Sequence, residues 1–384
     1  MKQELKRRPL GTTGEHITEV SLGAMNLRTL DTEVEGIAVI NKALDLGINL
    51  IDTARGYSEE KPDGSLRESE VLVKKALTEY KGLTEPIVIV TKGHGYDIEA
   101  FDRDLKTSRE KLGIEGQTKL TIGGTAIKLV YFFHGISQDR WVSMKENGVL
   151  DHAKTLQEQG LFTYLGFSSH NGHEECIDDA IKSDYFQVIE LPYNVFAPGL
   201  EDLIKLAYDK GIGVINMKAF GGNGMVSKTE VFKQYCDIST QKRLQFALAS
   251  PYITTVDAGC KFIEEINEDV ATAMLPKLSK VECDQLIGLA KRVGECTEGT
   301  CRECTHCLEK FECPQDVNFP KILALHTRYK IANEFDYEIE TIKKKYVAIR
   351  EEALKCVSCG LCKEWCEYKL DIPKLLQETQ YLLK

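Results

Sequence analysis

The chain lacks long hydrophobic runs and any excess of positive charge. Its longest apolar stretches, such as Ile87-Val88-Ile89-Val90, are strand-sized and far too short to span a bilayer, so we expect no membrane partner. The formal net charge of -10 argues against a nucleic-acid or anionic-membrane partner. The segment MKQELKRRPL has no apolar core, so we expect no signal peptide.

Cysteine, in contrast, is abundant. The chain has 13 cysteines without a secretion signal, which indicates a cytoplasmic protein whose thiols bind metals or do chemistry. Two runs lie near the C-terminus, with the spacings C-x2-C-x2-C-x5-C and C-x2-C-x2-C-x3-C. They comprise Cys301, Cys304, Cys307 and Cys313, and Cys356, Cys359, Cys362 and Cys366.

Three thiolates at this spacing bind one corner of a [4Fe–4S] cubane, and the remote fourth cysteine of each run usually completes the other cluster. The sequence therefore predicts two [4Fe–4S] clusters and a redox role. A zinc ribbon needs only two C-x2-C pairs per site, and disulfides need an oxidising compartment, so both alternatives are weaker. Cys296 is close enough to the first run to be an alternative ligand. We expect the remaining cysteines to be small buried hydrophobes.

Residues from about 19 to 275 alternate strand-like and helix-like patterns eight times, which predicts a (β/α)8 TIM barrel. The strand segments are near-continuous apolar runs, typical of parallel strands covered on both faces. They are EVSLGAM, LIDTA, PIVIVTKG, IKLVYFFHG, YLGFSSH, QVIELPYN, GVINMKAF and TTVDAGC. RRPLGTTGEHITEV predicts a hairpin that plugs the bottom of the barrel, and GIEGQTKLTIGGTA predicts an added hairpin before the fourth strand.

The composition changes after a linking helix, LSKVECDQLIGLAKRV. Between the two cysteine runs lie two helix-patterned stretches, PKILALHTRYKIANEF and YEIETIKKKYVAIREEALK. We therefore expect a barrel over residues 1–295, followed by a smaller, mainly helical ferredoxin-like iron–sulfur domain over residues 296–384.

The active site of a (β/α)8 barrel lies at the carboxyl ends of its strands, where this chain has several reactive side chains. A carbonyl that accepts a hydride needs a proton donor, and a phenol is acidic enough only if a cation favours its phenolate. We expect Lys92 to supply that charge to Tyr57, Asp52 to anchor Lys92, and His134 to orient the substrate oxygen. The alternative is purely structural: an Asp52–Lys92 ion pair in the barrel mouth and a hydrogen-bonded His134.

LIDTARGY, VTKG and VYFFHG resemble the segments that carry this catalytic tetrad in the aldo-keto reductase superfamily. NMKAFGGNG and GFSSHN resemble its subgroup with an appended two-cluster domain in particular. The resemblance covers roughly residues 5 to 295. It implies carbonyl–alcohol interconversion by hydride transfer from NADP(H) or NAD(H), with Tyr57 as general acid.

The resemblance also implies a nucleotide site at the strand ends, from which this chain departs. The family holds the nicotinamide carboxamide with Ser-Asn and Gln, where this chain has Ser168-Ser169 and Glu190. A glutamate accepts from the amide but cannot donate unless protonated. Lys261 is present, but Glu265 stands where an Arg grips the 2′-phosphate of NADPH. The implied nucleotide contacts are Asn26, Ser168, Ser169, Glu190, Lys218, Gly221, Gly222 and Gly224; for the glycines, a flexible loop is the alternative.

The cysteine motifs resemble those of bacterial two-cluster ferredoxins. By that pattern one cluster takes Cys301, Cys304, Cys307 and Cys366, and the other takes Cys356, Cys359, Cys362 and Cys313. Two features depart from the pattern: five residues instead of three precede Cys313, and Glu367 replaces a proline.

Together these expectations describe a cytoplasmic oxidoreductase acting on a small-molecule carbonyl or alcohol, with two clusters for electron transfer and ferredoxin or another redox protein as partner. Two alternatives stay open. One is a ferredoxin-coupled reductase, in which single electrons reach the barrel through the clusters. The other is a redox-sensing or electron-transfer module whose barrel binds a nucleotide without turnover.

Overall fold

The computed structural model describes residues 5–221, 236–303 and 306–384. These residues form two units. The first comprises the residues up to 219 together with 244–278, and the second comprises 220–243 and 279–384. Within the described ranges, no helix is both long enough and apolar enough to cross a membrane.

In the described part of the first unit, eight parallel strands close into a barrel, which confirms the predicted (β/α)8 fold. Each strand pairs with the next along the chain, and the last pairs with the first at Val256 and Val20. The strands are β1 (Val20–Gly23), β2 (Leu50–Asp52), β3 (Ile87–Gly93), β4 (Thr125–Phe133), β5 (Tyr164–Ser168), β6 (Val188–Pro192), β7 (Gly213–Met217) and β8 (Thr255–Ala258).

Helices follow the strands and cover the outside of the barrel. They are α1 (Glu33–Asp45), α2 (Ser69–Glu79), α3 (Ile98–Leu112), α4 (Gln138–Glu146), α5 (Val149–Glu158), α6 (Glu174–Lys182), α7 (Glu201–Asp209), α8 (Thr240–Ala249) and α9 (Ile263–Ala273). Capping residues set the ends of α3. At its start the Asp97 side chain accepts from the Ala100 N–H, and at its end Gly113 adopts the left-handed conformation, φ 71°. The all-buried β3 lies between such helices and the barrel interior.

Both hairpins expected from the sequence are present. Arg7–Pro9 pairs antiparallel with His16–Thr18, and Thr121–Ile122 pairs antiparallel with the start of β4. Leu10 and Ile17 of the first hairpin are fully buried in the cluster that fills the amino-terminal end of the barrel. A third hairpin, Ser58–Glu60 with Leu66–Glu68, follows β2 and was not expected.

The second unit is helical in its described part. Its helices are α10 (Lys280–Cys296), α11 (His306–Lys310), α12 (Phe319–Glu334), α13 (Ile339–Val347), α14 (Arg350–Leu354) and α15 (Ile372–Leu382). Because α10 groups with this unit, the structural division falls before it; the domain boundary after residue 295 stays a prediction.

Two helices of the second unit begin in the same way, each after a cysteine run. At the start of α12 the Asn318 side chain accepts from the Lys321 N–H, and at the start of α15 the Asp371 side chain accepts from the Lys374 N–H. Both have a proline in the first turn, as in Asn-Phe-Pro-Lys and Asp-Ile-Pro-Lys. The unit therefore repeats a cysteine run followed by a capped helix.

Arg8 fastens the N-terminal hairpin to the wall of the barrel. Its guanidinium donates to the carbonyls of Leu248, Ser250 and Ile253 at 2.6 to 2.8 Å and pairs with the buried Glu19. Arg8→Ala removes the donor to these three carbonyls, while Glu19 keeps its pair with Lys277. We therefore expect the barrel to lose about 2–4 kcal/mol of unfolding free energy.

Denaturant unfolding measured with a barrel-specific probe checks this loss. The control is Arg7→Ala in the same strand, whose exposed pair with Glu85 should contribute little to stability. Equal effects from the two variants would show that Arg8 does not fasten the hairpin.

Candidate functional site

Three members of the predicted tetrad meet inside the mouth of the barrel. Asp52 ends β2 and pairs in register with Val90, which sets its side chain beside that of Lys92. Both side chains are buried, and the Lys92 ammonium donates to both carboxylate oxygens of Asp52. Tyr57 follows in a turn closed by a 3.0 Å bond from its N–H to the Ala54 carbonyl, and Lys92 Nζ lies 5.5 Å from the centre of its ring.

A second carboxylate contacts the same lysine. Glu190 of β6 is 3% exposed, and its Oε2 lies 3.3 Å from Lys92 Nζ. Burial lowers the pKa of Lys92, but Asp52 and Glu190 outweigh burial and raise it well above its ordinary value, so the ammonium stays charged. Burial raises the pKa of Tyr57, and the charge on Lys92 opposes that rise. The lysine therefore favours the phenolate that a proton-donating tyrosine leaves behind.

His134 completes the tetrad from the loop after β4. Its ring meets that of Tyr57 edge-on at 5.8 Å between centroids and stacks on His94 at 4.4 Å. Burial, followed by the charge on Lys92, lowers the pKa of His134 to about 3, so the imidazole is neutral near neutral pH. Its buried Nδ1 has no hydrogen-bond partner among the described residues. His94 was not expected here; only its position directly after VTKG signals it.

The two serines after β5 tie the His134 loop to the barrel. Ser168 Oγ accepts from the Gly135 N–H at 2.9 Å, and the fully buried Ser169 donates from its hydroxyl to the Ile136 carbonyl at 2.8 Å. The Ser169 hydroxyl is therefore bound to the protein backbone. Ser168 accepts there, which leaves its O–H to donate.

The other strand-end residues lie around the mouth. Asn26 Nδ2 donates to the Gly259 carbonyl at 2.8 Å and so joins the loops after β1 and β8. Lys218 follows β7 with left-handed backbone, φ 59°, and its Nζ lies 3.5 Å from His170 Nδ1. Gly221 has φ 95°, which glycine adopts without strain. Gly222 and Gly224 lie outside the described residues.

Asp257 of β8 belongs to the site, although the sequence analysis did not single it out. One oxygen each from Asp257, Asp52 and Glu190 lie within 4.8 Å of one another. The positive charge among these carboxylates is the Lys92 ammonium. An acidic residue inside an otherwise apolar strand, TTVDAGC, was the available signal.

Two cysteines of the first run line one cavity of the second unit. Cys301 and Cys307 line it together with Cys366 from the second run. The rest of the wall is mainly apolar and includes Phe319 and Leu323. Cys304 lies outside the described residues.

A second cavity is lined by the other four cysteines, Cys313, Cys356, Cys359 and Cys362. Burial and the neighbouring thiols raise the pKa of Cys362 to about 11. Phe319 lines this cavity as well as the first, so one ring lies between the two. Cys296 lines neither cavity, and its thiol donates to the Val293 carbonyl at 3.3 Å. The remote cysteine of each run thus lies at the cavity of the other run.

Comparison with protein-family models gives one match for each unit. The model of the aldo/keto reductase family matches residues 19–276, more than half of the chain. The model of the 4Fe-4S dicluster domain matches residues 300–371.

Individual proteins resemble the chain over the barrel. The uncharacterized oxidoreductase YqkF of Bacillus subtilis is 23% identical over 73% of this chain and 95% of its own length. L-galactose dehydrogenase of Arabidopsis thaliana is 24% identical, over 73% of this chain and 92% of its own length. Among solved structures, the holo form of aldo-keto reductase AKR11C1 from Bacillus halodurans has a TM-score of 0.59 and 21% identity, covering 74% of this chain and 96% of that one.

The depressed pKa of His134 predicts that its ring stays neutral down to about pH 5, where an ordinary histidine is mostly charged. NMR of protein labelled in histidine measures this, with the His134 signal assigned by its loss in His134→Gln. The same resonances in urea-unfolded protein are the control and should titrate normally. A His134 midpoint above about pH 5 would contradict the neutral imidazole.

Proposed function

Since the chain belongs to the aldo/keto reductase family and carries a 4Fe-4S dicluster domain, we propose that this oxidoreductase interconverts a carbonyl and an alcohol by hydride transfer from NADP(H) or NAD(H), with Tyr57 as general acid. One observation carries the proposal. The buried Lys92 ammonium, held by Asp52 and Glu190, lies under the ring of Tyr57 with the neutral His134 beside it.

In the reductive direction, Tyr57 donates its phenolic proton to the substrate oxygen as negative charge develops there. Lys92 stabilises the phenolate that remains, and Asp52 holds Lys92 in place. His134 cannot serve as the acid, because its pKa of about 3 leaves no proton to give near neutral pH. It binds and orients the substrate oxygen instead, and in the reverse direction the Tyr57 phenolate takes the alcohol proton.

A bound nicotinamide nucleotide would supply the hydride. The residues available to hold its carboxamide are Ser168, through its O–H, and Glu190, through a carboxylate oxygen that accepts from the amide. Asn26 follows β1 and Lys218 follows β7, and both suit the ribose and phosphates. The Ser169 hydroxyl is bound to the Ile136 carbonyl, and Glu265 stands where the family has an Arg. We infer that the nucleotide binds weakly and that the site favours neither NADPH nor NADH strongly.

The substrate is sought with a panel of aldehydes and ketones, and with alcohols in the oxidative direction. The printed name of one relative, L-galactose dehydrogenase, adds L-galactose with NAD+ or NADP+ to that panel. A rise or fall of nicotinamide absorbance that needs both nucleotide and substrate supports the proposal. Absence of turnover across the panel favours the ferredoxin-coupled alternative.

We further propose that the second unit binds two [4Fe–4S] clusters, one in each cysteine-lined cavity. The donor set fits, because thiolates are the usual ligands of such clusters and the cavity walls are otherwise mostly apolar. Cys301, Cys304, Cys307 and Cys366 would hold one cluster. Cys313, Cys356, Cys359 and Cys362 would hold the other.

Electron transfer, rather than a purely structural role, is the proposed use of the clusters. Cys359 is exposed, and the apolar side chains beside it, Val357 and Leu361, are 63% and 54% exposed. An exposed ligand edge suits exchange of single electrons with ferredoxin or another redox protein. A hydride moves two electrons together, so the barrel and the clusters would be coupled only through a mediator or a one-electron step at the substrate.

Tyr57→Phe removes only the phenolic oxygen, so we expect carbonyl reduction to fall by about 10²- to 10⁴-fold. Nucleotide affinity, measured by fluorescence titration, should be nearly unchanged because the ring still packs. The matched control is Tyr164→Phe at the opposite end of the barrel, where the hydroxyl bonds to Thr13 and Glu15. A Tyr57→Phe enzyme with more than half the wild-type rate would remove Tyr57 from its role.

Protein purified without oxygen should contain about eight iron and about eight acid-labile sulfide per chain. Cys313→Ser should alter the same cluster signal, in electron paramagnetic resonance of the reduced protein, as Cys359→Ser. Cys366→Ser should alter the same signal as Cys307→Ser. Cys283→Ser, outside both cavities, is the control and should keep both signals. If Cys313→Ser instead groups with Cys307→Ser, each run completes its own cluster.

A further inference from the structure

The floor of the barrel mouth holds more negative charge than its lysine can balance. Asp52, Glu190 and Asp257 place oxygens within 4.8 Å of one another, and Lys92 is the cation among them. If all three carboxyls were ionised, the group would carry a net charge of about minus two, with Asp52 and Glu190 buried and Asp257 half-buried, which is unfavourable. We therefore expect one carboxyl to keep its proton to a higher pH than an ordinary aspartate or glutamate does.

We propose that Asp257 is a positioning residue that retains a proton forced on it by Asp52 and Glu190, and that loss of this proton weakens Tyr57 as an acid. The role rests on the proposed function of Tyr57, whereas the retained proton itself does not. Asp257 is not a member of the tetrad of Asp52, Tyr57, Lys92 and His134.

The contacts distinguish Asp257 from its neighbours. Asp52 accepts directly from the Lys92 ammonium through both oxygens, and Glu190 lies 3.3 Å from the same nitrogen. Asp257 has no such bond among the described residues, and its Oδ1 is shielded from solvent with no hydrogen-bond partner there. Burial and then Glu190 raise the pKa of Asp52 well above its ordinary value, and Lys92 opposes this rise. We assign the negative charge to Asp52 because, of the two aspartates, it is the one that bonds directly to the ammonium.

The local structure supports a neutral Asp257. Burial and then Glu190 raise the pKa of Asp257 to about 7, while Lys92 and the Ser21 hydroxyl act in the opposite direction. A methyl group on Gly23 would lie 2.7 Å from Asp257 Oδ2, so the glycine makes room for this carboxyl against β1. Asp257 is thus built into the site, next to the strand that carries Ser21 and Gly23.

Charge on Asp257 acts on Tyr57 through space. The Asp257 carboxylate raises the pKa of Tyr57, together with Asp52 and Glu190. Below about pH 7 Asp257 is neutral, so the phenolate is less disfavoured and Tyr57 is the stronger acid. Above that pH the added negative charge opposes proton donation, so reduction should slow as the pH rises through this range. The groups that face Asp257 are Asp52, Tyr57, Lys92, Glu190 and the Cys260 thiol, with Ser21 as a hydroxyl neighbour.

The retained proton is tested without turnover, in the holoprotein with its iron–sulfur clusters. The infrared difference spectrum between about pH 5.5 and about pH 8.5 should contain the band of a buried protonated carboxyl. Incorporation of aspartate labelled with 13C at the side-chain carboxyl should shift this band, and Asp257→Asn should remove it. A band that ignores the aspartate label and disappears in Glu190→Gln would put the proton on Glu190 and overturn the assignment.

The effect on Tyr57 is tested by the pH dependence of kcat/KM for carbonyl reduction. The wild-type rate should fall with a midpoint near 7. In Asp257→Asn this fall should disappear. Glu190→Gln should move the midpoint down and Ser21→Ala should move it up, each by about one pH unit, since Glu190 raises and Ser21 lowers the pKa of Asp257.

Opposite shifts in these two variants cannot arise from general damage to the fold, which circular dichroism and iron content check in each case. A fall that persists at the same pH in Asp257→Asn would overturn the role assigned to Asp257. If no carbonyl is reduced at all, the infrared result still decides whether Asp257 holds the proton, and only the proposed function fails.

Discussion

The ammonium group of Lys92 is the interaction on which the site depends. It is buried at the carboxyl end of the barrel, bonded to Asp52, in contact with Glu190, and beneath the ring of Tyr57. Without it, buried carboxylates would lie together uncompensated, and the pKa of Tyr57, which burial raises even with Lys92 in place, would rise further. The same charge adds to burial in keeping His134 neutral.

The second unit obeys a different constraint. Its described helices pack around two cysteine-lined cavities with a shared ring, Phe319, between them. The remote cysteines Cys313 and Cys366 cross from one run to the cavity of the other, so the two halves of the unit could not bind the two proposed clusters independently. Metal binding and folding of this unit are therefore expected to be coupled.

Much of this could be predicted from the sequence because the signals are local. Continuous apolar runs define the eight strands, and the carboxyl end of each strand identifies Asp52, Lys92 and His134 by position alone. The contact between Glu190 and Lys92 could not be predicted, because it depends on register across the barrel rather than on neighbours in the chain. The same holds for Asp257, whose partners come from four other strands.

Further features of the structure have different origins: one is a repeat in the sequence of the second unit, and another depends on the geometry of a loop in the barrel. The repeated helix start, Asn-Phe-Pro-Lys and Asp-Ile-Pro-Lys, shows that the repeat in the second unit extends beyond the cysteines. The bond from the Ser169 hydroxyl to the Ile136 carbonyl depends on the path of the His134 loop, which no spacing rule gives. The hairpin after β2 is short, and its segments Ser58–Glu60 and Leu66–Glu68 lack the continuous apolar pattern of the barrel strands.

In the proposed function the barrel moves a hydride, with both electrons and the hydrogen nucleus travelling together, and single electrons stay with the clusters. The most direct test is to reduce a carbonyl in ordinary water with NADPH or NADH carrying deuterium at C4 of the nicotinamide, and to analyse the alcohol by mass spectrometry. Hydride transfer should place deuterium on the former carbonyl carbon when the labelled face of the nicotinamide is the one used. An alcohol whose new C–H hydrogen comes from solvent, with either face labelled, would contradict it and point to single electrons delivered through the clusters.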